Sequence, residues 1–109
     1  MASSQIVDNF LNTIIDTPQI AFTAPSGQSV TIDSFTVSNN STVNANYKAY
    51  IKTSLGPLSP IVPFQIVVWG EIDLGIGIVN QTIPPGGTLQ IESSALSSLY
   101  LTVSGRETT

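Results

Sequence analysis

The sequence predicts an all-β protein, a single antiparallel β-sandwich or jelly-roll-like domain preceded by an N-terminal arm. Two observations carry this. Short runs of β-branched and aromatic residues recur roughly every 8–12 residues, separated by Gly, Pro and Asn turn signals. Residues 43–52 alternate cleanly: Val43, Ala45, Tyr47, Ala49 and Ile51 on one face, Asn44, Asn46, Lys48, Tyr50 and Lys52 on the other. That is the pattern of a strand with one buried and one solvated face. No longer internal period is present, so a solenoid is not indicated.

Taken in order, residues 1–18 form the arm and residues 19–109 the sandwich domain. In the arm, Ile6, Phe10 and Ile14 stand four apart, with Val7, Leu11 and Ile15 beside them. This is helical periodicity over about three turns, with Ser3 or Ser4 as cap and Asp8 in the first turn. An extended arm of β-branched residues is the alternative, and Pro18 closes the segment either way. Ile20 to Thr23 reads as a strand closed by the turn Ala24-Pro25-Ser26-Gly27. Ser29 to Asn39 is a long strand whose apolar phase runs Val30, Ile32 and then slips to Phe35, Val37. A one-residue slip predicts a β-bulge near Asp33-Ser34.

After the alternating strand, Gly56 to Pro60 with Pro63 predicts a Pro-rich connection outside any sheet. Phe64 to Trp69 is nearly continuous in apolar residues, as expected of a strand covered on both faces, within the sandwich or at a subunit contact. Leu74 to Ile83 is a strand-like run in which Gly75 and Gly77 suggest a bend or a close backbone approach. Pro84-Pro85-Gly86-Gly87 is a turn, and Leu89–Ile91 and Leu99–Val103 are the closing strands.

Composition narrows the function. The 109 residues include no Cys and no His, which removes thiol chemistry, the commonest general base and the commonest nitrogen metal ligand. Three basic and seven acidic side chains give a net charge of −4. A chain with so few and scattered cations has almost nothing with which to hold phosphates, so nucleic acid is not expected as a partner. No apolar run of about 18 residues spans a membrane, and the first residues lack the basic start of a secretory signal. The polar surface is supplied by 14 Ser and 12 Thr, and the mean hydropathy is +0.27. A surface poor in Lys and Glu lacks the usual protection against self-association. Either much of it is covered in the working state, or the protein is a slightly adhesive monomer.

Catalytic candidates are sparse. Glu71 and Asp73, two apart, suit a hard cation or a carboxylate pair, and equally suit a solvated strand edge. Gly75-Ile76-Gly77 lacks the third Gly and the helix of a dinucleotide fingerprint. An enzyme is not expected, and no cofactor or metal site is indicated. Tyr47 and Trp69 fall on apparently buried positions, whereas Tyr50 and Tyr100 fall on polar faces and suit a sugar-stacking role.

The segments Phe22-Thr23-Ala24-Pro25-Ser26-Gly27 and Val30 to Asn39 resemble a family of small β-sandwich virion proteins of tailed bacteriophages. So do Thr82-Ile83-Pro84-Pro85-Gly86-Gly87-Thr88-Leu89 and the closing Leu101-Thr102-Val103-Ser104-Gly105-Arg106-Glu107. Each motif is turn chemistry between strands, and the specificity lies in their order over residues 20–107. The resemblance implies a capsid decoration (cement) protein that binds the major capsid protein and itself, as a homotrimer by analogy with cement proteins. A neck, tail or fibre station is the alternative, and a carbohydrate-binding adhesion module a second. The implied location is the virion surface after synthesis in the bacterial host cytoplasm. The candidate oligomer and capsid contacts are Ile6, Phe10 and Ile14 in the arm and Ile61, Val62 and Phe64 in the apolar middle. Residues 55–69 and the arm depart from the family pattern.

Overall fold

The computed structural model describes residues 4–11 (backbone only), 17–94 and 99–108. They form β1 (Ser4–Leu11), β2 (Gln19–Thr23), β3 (Ser29–Asn39), β4 (Ala45–Lys52), β5 (Leu58–Val67), β6 (Ile72–Asp73), β7 (Thr82–Ile83), β8 (Thr88–Ser93) and β9 (Leu99–Thr108). Among the described residues no helix is long and apolar enough to cross a membrane.

The strand pairs are nested. A hairpin of β4 and β5 lies at the centre; outside it β3 pairs with β6 and β7, then β2 with β8, then β1 with β9, all antiparallel. Two more ladders, β3 with β9 and β4 with β8, roll this long hairpin onto itself. The result is two sheets, ordered β1-β9-β3-β6 and β2-β8-β4-β5, with β7 also on β3. This is the connectivity of a jelly roll.

The core lies between the sheets. Val30, Ile32, Phe35 and Val37 of β3 and Leu99, Leu101 and Val103 of β9 face Ala45, Tyr47, Ala49 and Ile51 of β4 and Leu89 and Ile91 of β8, all buried. The predicted bulge is found: the β3–β9 register shifts between Ile32 and Ser34. One inserted residue keeps all four apolar side chains of β3 on the inner face, which an unbroken period of two would not do. Asp33, at the insertion, accepts the Arg106 Nε at 2.9 and 3.0 Å.

Two sequence expectations are corrected, and one left open is decided. Residues 4–11 take the extended conformation and not the helical one. A helix of about three turns is marginal without packing, whereas β9 offers a ladder from Ser4↔Gly105 to Leu11↔Leu99. The Pro-rich stretch is not outside the sheet: β5 begins at Leu58 and runs through Pro60 and Pro63. It tolerates them because it is the last strand of its sheet and its pairing with β4 is shifted around Tyr47–Tyr50, and edges and bulges are where proline fits. Residues 74–81 form turns in place of a strand, with only Thr82–Ile83 extended.

Candidate functional site

The strand orders end at β5 in one sheet and at β6 in the other. Between these two ends the sandwich is open, and a groove of about 380 Å³ runs there, bounded by Ile61, Val62, Phe64 and Gln65 on one side and Asp73, Gly75, Ile76 and Gly77 on the other, with Tyr47 between them. The rim is unusual for a water-facing surface. Phe64, Ile66, Val68, Trp69, Ile72, Leu74 and Ile76 are all exposed, Trp69 at 58% and Ile76 at 90%. No charged residue occurs between Lys52 and Glu71. A cluster of exposed apolar side chains beside one open edge points to an interaction site.

Local chemistry holds the patch in place. Glu71 N donates to Val68 O at 3.0 Å, closing a turn whose third residue, Gly70, has φ +76°. Asn80 is the only non-glycine with positive φ among the described residues, so Trp69 has a negative φ and the turn is type II, which requires glycine at that third place. Trp69 thus stands at the tip of a tight turn. Asn44 Oδ1 accepts the Trp69 N–H at 3.2 Å. Asn39, buried at the end of β3, clamps the base: its Nδ2 donates to Val43 O and Val67 O, and its Oδ1 accepts Ser41 N and Ser41 Oγ. Its backbone also joins the turn, through Asn39 N to Glu71 O and Gly70 N to Asn39 O.

Across the groove, Tyr47 of β4 donates its hydroxyl to Asp73 Oδ2 of β6, which also accepts Gly75 N at 3.0 Å. One hydrogen bond therefore ties the two sheets at their open side. Gly75, at φ +56°, lies against the Phe35 ring, which packs on Tyr47 with centroids 5.8 Å apart. Burial first, then the hydrogen bond and the charge of Asp73, push the Tyr47 phenol well above its ordinary value. Tyr50 is also raised, by burial first and then by its hydrogen bond to Glu92 and the Glu92 charge. The Tyr47 contribution is intact below pH ~10. Above it the unfolded phenol ionises while the folded one keeps its proton, so stability falls by up to about 1.4 kcal/mol per pH unit. Tyr47→Phe is expected to flatten this alkaline decline, measured by denaturant unfolding at stepped pH, with Tyr50→Phe for comparison; equal slopes in Tyr47→Phe and the parent would contradict it.

The sequence candidates fall as follows. Phe64 is exposed on the rim; Ile61 is partly buried against the core, and Val62 is 8% exposed within it. Ile14 lies outside the described residues. Of Ile6 and Phe10 only the backbone is described, within β1, with Phe10 opposite Tyr100. Tyr47 is buried as expected, but Trp69 is not, because Gly70 turns the chain out of the sheet before it can be covered. The reading of Phe64–Trp69 as a strand enclosed within the sandwich is likewise corrected: it lies at an edge, with alternate residues outward. Asp73 is engaged by Tyr47, not simply solvated, while Glu71 is exposed. Tyr50 and Tyr100 lie on strands of different sheets and share no platform. Sequence reasoning missed Ile72, Leu74 and Ile76 as rim residues, and reached Ile66 and Val68 only through the alternative that Phe64–Trp69 lies at a subunit contact. Pro60 and Pro63 were the available signal, since prolines mark β5 as an edge and an apolar edge strand exposes part of its apolar set.

Among the described residues no group of three or more potential metal-ligating side chains comes together. No protein-family model, curated protein or solved structure matches this chain.

Proposed function

We propose that this protein is a structural component of a bacteriophage particle, a decoration protein that binds the shell of major capsid protein and stabilises it as a homo-oligomer. The observation that carries this reading is the open edge, an apolar rim with no charge along β5, held in place by Asn39, Gly70 and the Tyr47–Asp73 bond. A surface of that kind is built to be covered and not to turn over a substrate. The resemblance to small virion proteins supports the particle. Two of the turns in it, Ala24–Gly27 and Pro84–Gly87, hydrogen-bond to each other through Ala24 N to Gly87 O and Gly86 N to Ala24 O, so motifs sixty residues apart meet in the fold. Binding would stabilise the shell by adding buried area across its seams, and such contacts need about 1,200 Å² or more in total.

Mass spectrometry of purified particles tests the reading. A decoration protein is expected at hundreds of copies per particle. A few copies would move it to the neck, tail or a fibre, and absence from particles would overturn the proposal.

A further inference from the structure

The open edge has a specific geometry that bears on what covers it. Asn46 N donates to Ser94 Oγ and Asn46 O accepts Ser94 N, so its backbone faces β8. Its neighbours Ala45 and Tyr47 therefore face β5, where they pair with Val67 and Gln65. It follows from strand alternation that the backbone groups of Phe64 and Ile66 point away from the sheet. Among the described residues no strand pairs with that side; Ile66 O receives only a 3.4 Å contact from the adjacent Gln65 side chain. Proteins guard such edges with proline, charge and bulges. The first half of β5 has Pro60, Pro63 and shifted pairing, but Phe64 to Val68 has no proline and no charge.

We propose that a second copy of this chain covers the edge, its β5 antiparallel to the first across a two-fold axis at Ile66. This inference rests on the reading of the open edge as a covered surface. In this arrangement Ile66 faces Ile66, Phe64 faces Val68, and Trp69 stands opposite Pro63, beside the partner copy's groove at Ile61 and Phe64. One edge thus supplies both the projecting indole and the recess that receives it, which is the self-complementarity that a two-fold contact requires. Charge is compatible with this arrangement. The paired segment Phe64 to Val68 carries no charge, and each Glu71 lies past it, across the Val68–Glu71 turn. Area agrees as well. Seven rim side chains exposed by 41–90% leave roughly 800 Å² of apolar surface at about 200 Å² per large side chain, which is the share one partner contributes to a stable interface.

The test uses the full chain, whose lack of cysteine makes a single introduced thiol a clean reporter. Sedimentation equilibrium is expected to give twice the 11.5 kDa chain mass. Opposed strand residues lie within disulfide reach, so Ile66→Cys is expected to cross-link two chains on mild oxidation. Ile20→Cys, at a somewhat more exposed position on the other edge strand, is expected to do so at least tenfold more slowly. Ile66→Lys is expected to weaken dimerisation at least tenfold while melting like the parent at concentrations where both are monomeric. A monomer at every soluble concentration would overturn the proposal, as would equal cross-linking of the two cysteine variants. So would the trimer implied by the resemblance, if the Ile66→Cys variant stayed unlinked within it. A monomer whose edge is protected only on particles would assign the edge to the shell protein and overturn self-pairing alone. A dimer absent from particles would overturn the function and leave the dimer standing.

Discussion

Gly75→Ala is expected to lower the unfolding free energy by about 2–4 kcal/mol, a large part of the 5–15 kcal/mol that holds a domain of this size folded. Two costs add. Gly75 has φ +56°, a left-handed conformation that costs a side-chain-bearing residue roughly 1 kcal/mol. A β-carbon there would also stand 2.3 Å from Phe35 Cδ1 and 2.9 Å from Cε1. Phe35 cannot yield freely, being buried in the core and packed on Tyr47, and overpacking such a site costs typically 1–3 kcal/mol. Gly27→Ala separates the two costs. Gly27 also has positive φ, +84°, but its β-carbon would meet nothing within 4 Å, so only the backbone cost is expected. Phe35→Leu in the Gly75→Ala background is expected to recover part of the loss, because the two sites are in contact and their effects are not additive. Denaturant unfolding of these variants beside the parent decides it. Equal losses for Gly75→Ala and Gly27→Ala would show that the Phe35 contact carries no energy.

The same residues show how far the sequence can be read. Gly75 was legible as a close backbone approach, since glycine in an apolar run has few other uses, but nothing local names Phe35, forty residues earlier, as the neighbour. The β3 bulge was legible to within a residue because a phase slip in a period of two has one structural remedy. The strand limits of β3 and the buried face of β4 were legible for the same reason: their side-chain period is their geometry. The open edge was not. Whether an apolar strand is central or terminal depends on which strands flank it, and that is decided by the nesting of pairs around the β4–β5 hairpin. Trp69 illustrates the point: a nearly unbroken apolar run suggests enclosure, yet one glycine after it moves the indole to the surface. The arm was undecided for a different reason. Spacing of four is compatible with a helix, but the ladder offered by β9 is a tertiary fact, and it decides between two conformations of similar local propensity.

Asn39→Ala is expected to cost about 3 kcal/mol and to release the Trp69 turn. The side chain is 2% exposed and makes four hydrogen bonds, donating to Val43 O and Val67 O at 2.9 Å each and accepting from Ser41 N and Ser41 Oγ at 2.9 and 2.8 Å. An ordinary hydrogen bond contributes about 1 kcal/mol net, but a partner left buried and unpaired costs about 1–3 kcal/mol. Four such bonds at one buried side chain put the loss at about 3 kcal/mol. Asn39→Asp distinguishes bonding from space filling. It has nearly the same shape, yet at neutral pH it turns an acceptor toward the two carbonyls that Nδ2 now serves, so it is expected to be as damaging as alanine. Its deficit should shrink at acidic pH, where protonation supplies one donor: the folded environment favours the neutral carboxyl, and stability held at low pH is lost as that carboxyl ionises. The chain's single tryptophan reports the consequence for the edge. With β5 self-paired as proposed, Trp69 emission is expected in both variants to lose the concentration dependence that pairing gives the parent while the core strands still melt cooperatively, because the turn that aims the indole has come away from Asn39. Emission and concentration dependence like those of the parent would mean that Gly70 and Asn44 suffice to hold the turn, and that the Asn39 side chain serves the core alone.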